Sequence, residues 1–297
     1  MLIIGVIILS LQDSLIKYMA SETSFWQLQF IRSIGNIILL FGIAKITNGI
    51  DILFPLKWKP VYLRALTMTT CMFCFFAASP QLSFAQMAAG LYTFPIFVSL
   101  LAIIFLKERI GLWRFFALIL GSFGALLILE PWSENFKFLQ ILPVMAGFFF
   151  ACNIILIRKY CRQESVMSLT LAVGVMFFIS ASLGILLFEL IFQNNFLRGN
   201  SPFVFIGWPS LTLIVFVFCL SCSILNISGN ILLAKAYQTA ESSWLAPMDY
   251  SYLVFAAIWG KIFFGVWPTL LNLIGMFFIA FSGILIAFRE QRKLKSN

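Results

Sequence analysis

Three ionisable side chains, Asp13, Arg32 and Asp249, sit inside long apolar runs. Inside a bilayer such groups are costly, and they face a cavity or one another. Asp13 lies about seven residues, ~10 Å, from the end of the first run, and Arg32 about eight residues, ~12 Å, from the start of the second. The two therefore share a depth, and an Asp13–Arg32 ion pair is expected. Lys17 stands one turn from Asp13, at i+4, and competes for it. Two readings stay open. The cluster lines a cavity and binds a solute or a proton, or it is a neutralised pair that locks the first helix to the second.

Asp249 and Tyr250 lie about ten residues into a later run, and Asp249 is the better candidate for solute or proton binding. Its structural alternative is a hydrogen bond to Lys235, Asn226 or Asn230. Tyr92, Tyr250 and Trp244 offer ring faces to a planar or cationic solute, or ordinary packing. Asn226, Ser228 and Asn230 line a cavity or bond between helices. Pro95 and Pro247 each remove a backbone donor and kink their helix. Breaks at matching places in two halves of a chain point to a gated site. Glu189 is expected to reach the membrane interface.

The elements that position these groups are apolar throughout. The 297 residues are 62% hydrophobic and 10% charged. A soluble domain carries roughly a quarter charged residues, so a soluble surface is excluded. The net charge of +9 lies in short clusters between the apolar runs, which argues against nucleic acid. Cys71, Cys74, Cys152, Cys219 and Cys222 fall in apolar runs and Cys161 in a basic loop; all six read as small packing residues. The chain has no histidine, and no metal or cofactor is expected. The first run, MLIIGVIILSLQDSLIKYMA, lacks a basic leader and reads as a span.

Spans of ~20 apolar residues are expected at 1–20, 24–46, 61–79, 83–106, 113–130, 138–158, 165–193, 210–236, 240–264 and 268–288. With the N-terminus inside, fifteen Lys and Arg fall on the inner side, Arg64 among them, and four on the outer. The excess belongs in the cytoplasm, so both termini are expected there.

An internal repeat organises the spans. An offset of 158 lays residues 64–108 over the second half without a gap, placing Tyr92 on Tyr250 and Leu91 on Asp249. An offset of 141 aligns the first helices, with Gln12 on Asn153. Five spans per half invert the second half relative to the first. The expected fold is an all-α membrane protein of ten transmembrane helices in two five-helix inverted-topology repeats. These are 1–131 and 132–290, followed by a basic tail, 291–297.

Across nearly its whole length the chain resembles the EamA type of the drug/metabolite transporter superfamily. The residues that carry the likeness are D-S-L-I-K (Asp13 to Lys17), F-I-R-S (Phe30 to Ser33), and the stretch from Ala88 to Pro95 running into L-K-E-R (Leu106 to Arg109). Gly121 to Pro131 and A-P-M-D-Y (Ala246 to Tyr250) complete it. One departure is clear: Val266 stands where the second half of the family repeats the glutamate of L-K-E-R. The resemblance implies a secondary transporter of a small organic metabolite in the inner membrane, working by alternating access. The forms of D-S-L-I-K and A-P-M-D-Y look most like a branch of uptake carriers for S-adenosylmethionine and riboflavin.

An acidic site at Asp249 flanked by tyrosines suits a cationic or zwitterionic aromatic solute. Riboflavin-type uptake and drug or metabolite export are the alternatives. The partners expected are a small-molecule solute, the bilayer and a coupling ion or proton. Nucleic acid is not among them, and monomer and homodimer stay open. An intramembrane enzyme is disfavoured by the lack of His, HExxH and GxSxG, and because Asp13 and Asp249 are expected at different depths. A membrane scaffold or assembly subunit would need neither Asp249 nor the repeat.

Overall fold

The computed structural model describes residues 1–47, 49–107, 112–132, 138–191, 202–239 and 248–295. Among them the regular structure is helical. The helices are α1 (Leu2–Tyr18), α2 (Phe25–Ile46), α3 (Trp58–Ala77), α4 (Phe84–Leu91), α5 (Phe94–Leu106) and α6 (Leu112–Leu129). After these come α7 (Leu142–Tyr160), α8 (Val166–Leu186), α9 (Leu213–Thr239), α10 (Ser251–Phe264) and α11 (Leu270–Lys295). Seven helical segments are long and apolar enough to cross a membrane, and Phe115–Leu129, Ser251–Phe264 and Leu270–Leu285 are shorter apolar helices. Outward-facing Ile38, Ile104, Leu213 and Phe277 are more than half exposed, as lipid contact requires. Exposed Tyr18, Trp58, Trp132, Tyr160 and Trp267 cluster at helix ends, where aromatic rings seat at the membrane–water boundary.

Local chemistry sets the helix ends. Ser24 and Ser165 cap α2 and α8, their hydroxyls accepting from the backbone N–H of Gln27 and Ser168. Ser83 and Gln86 form a capping box at α4. Helices α5 and α10 end in left-handed residues, Lys107 (φ 56°) and Gly265 (φ 68°); glycine takes that conformation without a Cβ penalty.

The expected kink at Pro95 is a full break. Helix α4 stops at Leu91 and α5 begins at Phe94, with Pro95 in its first turn, where a missing N–H costs least. Tyr250 is the matching boundary in the second half, directly before α10. Pro247 and Trp244 lie outside the described residues.

Helix α6 packs along α11, α3 against α7, α1 against α9, and α2 against α8. Secondary contacts join α4 and α5 to α7, α10 to α1, α9 to α2, α3 to α8, and α10 to α4. Small residues permit the closest crossing. A Cβ on Gly124 would meet the Gly275 carbonyl oxygen at 2.7 Å, and one on Gly275 would meet that of Gly124 at 2.7 Å.

Loops close both ends. At one, Ser24 Oγ donates to Gly207 O (2.8 Å), Trp26 Nε1 to Val204 O (2.7 Å) and Gln27 Nε2 to Pro209 O (2.8 Å). Glu189 accepts from Trp208 N at 2.8 Å, so it pins this loop. At the other end Ser165 Oγ donates to Ile52 O (2.5 Å), and Glu164 accepts from the backbone N–H groups of Leu56 and Lys57 at 2.9 and 2.8 Å.

Candidate functional site

The helices enclose a cavity of about 230 Å³. Six residues singled out in the sequence meet on its wall: Asp13, Arg32, Tyr92, Asn226, Asn230 and Asp249. The two aspartates, expected at different depths, face one chamber. Four residues that sequence reasoning passed over join them, Gln12, Asn36, Arg64 and Tyr252. Their signals were present. Gln12 adjoins Asp13, Asn36 follows Arg32 by one turn, and Tyr252 follows Asp249 by three residues. Arg64 was counted among the inner connections, whereas it stands six residues inside α3.

The expected Asp13–Arg32 ion pair does not form. Asp13 accepts from Tyr252 Oη at 2.6 Å and from Gln12 Nε2 at 2.7 Å. The network continues from Asn226 Nδ2 to Gln12 Oε1 (2.8 Å) and, over a longer 3.4 Å, from Asn36 Nδ2 to Asn226 Oδ1. It ties α1, α2, α9 and α10 together across the chamber. Asn230 donates to the Asn226 carbonyl at 2.8 Å. Arg32 is 4% exposed. Its Nε has no hydrogen-bond partner, and the guanidinium lies over the Phe177 ring at 5.4 Å. Arg64 donates through Nη1 to Leu169 O at 2.9 Å and leaves its Nε unpaired.

Lys17 does not compete for Asp13. Its Nζ donates to the carbonyls of Ser79 and Leu82 and lies over the Phe264 ring. It lines a separate pocket with Pro80 and Pro268. Tyr250, taken as a cavity wall, is buried behind it: its ring packs on Tyr92 at 5.5 Å, and a Cβ on Gly283 would overlap its hydroxyl. The wall ring on α10 is Tyr252, stacked on Tyr92 at 5.2 Å. Tyr92 Oη donates to the backbone carbonyl of Asp249 at 3.0 Å, so the two breaks touch.

The cysteines are free; Cys71, Cys74, Cys161, Cys219 and Cys222 are buried and Cys152 partly so. Cys161 is thus a packed residue at the end of α7 rather than one in an open loop.

The wall obeys the sequence offsets. An offset of 141 carries Leu9 to Phe150, Arg32 to Val173 and Asn36 to Phe177, all of them lining residues. An offset of 158 carries Met68 to Asn226, Met72 to Asn230, Leu91 to Asp249 and Phe94 to Tyr252, again all lining. In six of these seven pairs one member is polar and the other apolar. The polar members lie on α2, on α9 and at or near the start of α10. The apolar members lie on α3, around the α4–α5 break and on α8. The chamber therefore joins mostly hydrogen-bonding elements to mostly apolar ones, with Arg64, Thr170 and the Tyr92 hydroxyl as exceptions among the latter.

Apolar helices, aromatic residues at helix ends and a cavity lined by polar side chains define a multi-pass membrane protein with an internal chamber. Comparison finds that residues 1–130 match the EamA-like transporter family. It is 26% identical over 208 residues to a riboflavin transporter of Vibrio cholerae serotype O1, covering 70% of this chain and 64% of that protein. It is 27% identical over 209 residues to an S-adenosylmethionine uptake transporter of Rickettsia bellii, covering 69% and 64%. A pseudopaline exporter of Pseudomonas aeruginosa is 22% identical over 273 residues, covering 90% and 87%. The chain spans just under two thirds of the length of the first two relatives.

Proposed function

We propose that the protein is a secondary transporter that carries a small cationic or zwitterionic organic metabolite across the inner membrane by alternating access. The observation that carries this reading is the chamber itself. Charged and amide groups are costly at membrane depth unless they serve a pathway, and here they converge on one cavity from four helices. Its volume, about 230 Å³, is below the ~300–1,000 Å³ of drug-sized sites, which favours a compact metabolite. The names of the relatives, transporters of riboflavin and of S-adenosylmethionine and an exporter, agree on the class and differ on cargo and direction.

The reading includes ten spans in two inverted five-helix repeats, 1–131 and 132–290. Matching local features support it. The caps Ser24 and Ser165 are 141 apart, and the breaks at Tyr92 and Tyr250 and the left-handed ends Lys107 and Gly265 are each 158 apart. The helix contacts support it too, since exchanging the halves turns α3–α7 into α9–α1, and α3–α8 into α9–α2. An inverted pair exchanging inner and outer access around a fixed central site is the economy of such repeats. Both termini belong in the cytoplasm by the distribution of Lys and Arg.

Asp249 is the main acidic contact for solute or coupling proton in this scheme. It lines the cavity and adjoins the break at Tyr250, and Leu91 at the matching position in the proposed repeat supports a role beyond the scaffold. The test is uptake of labelled phenylalanine, S-adenosylmethionine and riboflavin into proteoliposomes. Wild type should carry at least one of them. Asp249→Asn should elute and melt like wild type yet lose most of the flux. A normal rate in the variant removes Asp249 from the site, and no flux of any tested solute by wild type counts against the transport reading.

A further inference from the structure

We infer that Arg32 is an anion subsite, and that the two-sided chamber selects a zwitterion with an apolar body by seating its carboxylate on the Arg32 guanidinium. This deepens the transporter reading and rests on it, since it concerns the same cavity. Arg32 is a buried cation whose guanidinium makes no hydrogen bond, and its Nε is shut off from solvent without a partner. The acid expected to neutralise it is engaged elsewhere, because Asp13 is held by Tyr252 and Gln12. Phe177 supplies only a ring face at 5.4 Å. A buried cation whose hydrogen-bond donors are unmatched is unfavourable even with an acid nearby, so the arrangement is poised for an acceptor delivered through the cavity. A planar guanidinium fork matches a carboxylate in two parallel hydrogen bonds.

One turn along α2, Asn36 Oδ1 is a second buried atom without a partner, and it can accept from a ligand donor. Asp249 lines the same cavity and brings a carboxylate to it. The same cavity is lined by the thioethers of Met68 and Met72 and the ring of Phe150, soft groups that accept an apolar or aromatic body. The repeat makes the orientation unique. Where one half presents Arg32 the other presents Val173, and Asp249 is answered by Leu91. A solute turned around the pseudo-two-fold axis would leave both charges against hydrocarbon.

Purified full-length protein and its Arg32→Gln variant would be titrated with phenylalanine, 3-phenylpropionate, phenethylamine and glycine. Together these separate the carboxylate, the amine and the apolar body. Affinity would be read by equilibrium binding, and stability by thermal melting. Phenylalanine and 3-phenylpropionate should bind wild type and lose at least about tenfold in affinity in Arg32→Gln, the scale of a charged hydrogen bond. Glycine should bind far more weakly than phenylalanine. The ligand-free variant should melt no lower than wild type, because no partner is stranded.

Binding of phenethylamine alone, equal binding of the anions to both proteins, or no binding of any anionic probe would overturn the subsite. So would a ligand-free Arg32→Gln that melts well below wild type, the mark of a structural ion pair. Anion binding that depends on Arg32 without flux in vesicles would keep the subsite and remove the transport reading. Flux of the amine that ignores Arg32 would do the reverse.

Discussion

The hydroxyl of Tyr252 holds Asp13, and removing that one atom tests the polar wall. Tyr252→Phe keeps the ring and its stacking on Tyr92 at 5.2 Å, so the change isolates the 2.6 Å hydrogen bond to Asp13 Oδ2. A hydrogen bond to a charged group contributes ~1.5–3 kcal/mol. Because Asp13 borders the cavity, water can reach the freed oxygen, which places the loss near the lower figure, about 1.5 kcal/mol. Gln12 still donates to the other carboxylate oxygen, so the side chain does not swing free. The assay is a double-mutant cycle of Tyr252→Phe and Asp13→Ala by denaturation in detergent. Each single change removes the same bond, so the double variant should be less destabilised than the sum by about 1–2 kcal/mol. Additivity to within ~0.5 kcal/mol would refute the reasoning, because Asp13 and Tyr252 would then act as separate residues.

Three further outcomes follow from the packing and the charge pattern. Gly124→Leu should force α6 from α11 and lower stability by ~1–3 kcal/mol, while Gly42→Leu, with nothing within 4 Å of the new Cβ, should melt like wild type. Lys17→Met breaks the bonds to Ser79 O and Leu82 O, so it should lower the melting temperature yet leave solute affinity within about twofold; lost affinity at unchanged stability would return Lys17 to the site. A cysteine at exposed Asp51, in a background without the native cysteines, should react with an impermeant thiol reagent only after cells are opened, and labelling of intact cells would reverse the proposed orientation.

Much of the helical order was legible because hydrophobic runs and caps are local. Ser24, Ser83 and Ser165 mark helix starts in the sequence, and most described helices fall within a few residues of the expected spans, whereas α10 begins at Ser251 and α11 runs on to Lys295, through most of the expected tail. The break near Pro95 was legible for the same reason, since a missing N–H acts on its own turn. Partner choice was not. Asp13 and Arg32 share a depth, but depth does not fix rotation about each helix axis. Tyr252 on α10, 239 positions away, takes the carboxylate instead. Lys17 was misread by treating i+4 spacing as contact, when the open carbonyls at the end of α3 offer its ammonium two acceptors. Tyr250 was misread because alternation along one turn decides which tyrosine faces the chamber; packing against Gly283 turns it away, and Tyr252 takes the wall.

The repeat and the charge pattern explain each other when they are considered together. In the proposed repeat, equivalent positions such as Leu91 and Asp249 line one chamber. A perfectly symmetric wall would bind a solute in two opposed poses with equal affinity, and opposite faces of the membrane would then see the same complex. Here the backbone keeps the equivalence while the side chains abandon it. Both breaks are retained, and Tyr92 Oη bonds the Asp249 carbonyl across the junction between them. Most of the hydrogen-bonding groups, however, lie on α1, α2, α9 and at the start of α10. On the proposed alternating-access scheme, matching hinges would let either side open, whereas an unequal wall would hold the cargo in one orientation throughout. On that proposal the scaffold carries the motion and the divergence between the halves carries the selectivity, and the candidates Arg32, Asn226, Asn230 and Asp249 stand where the two halves differ.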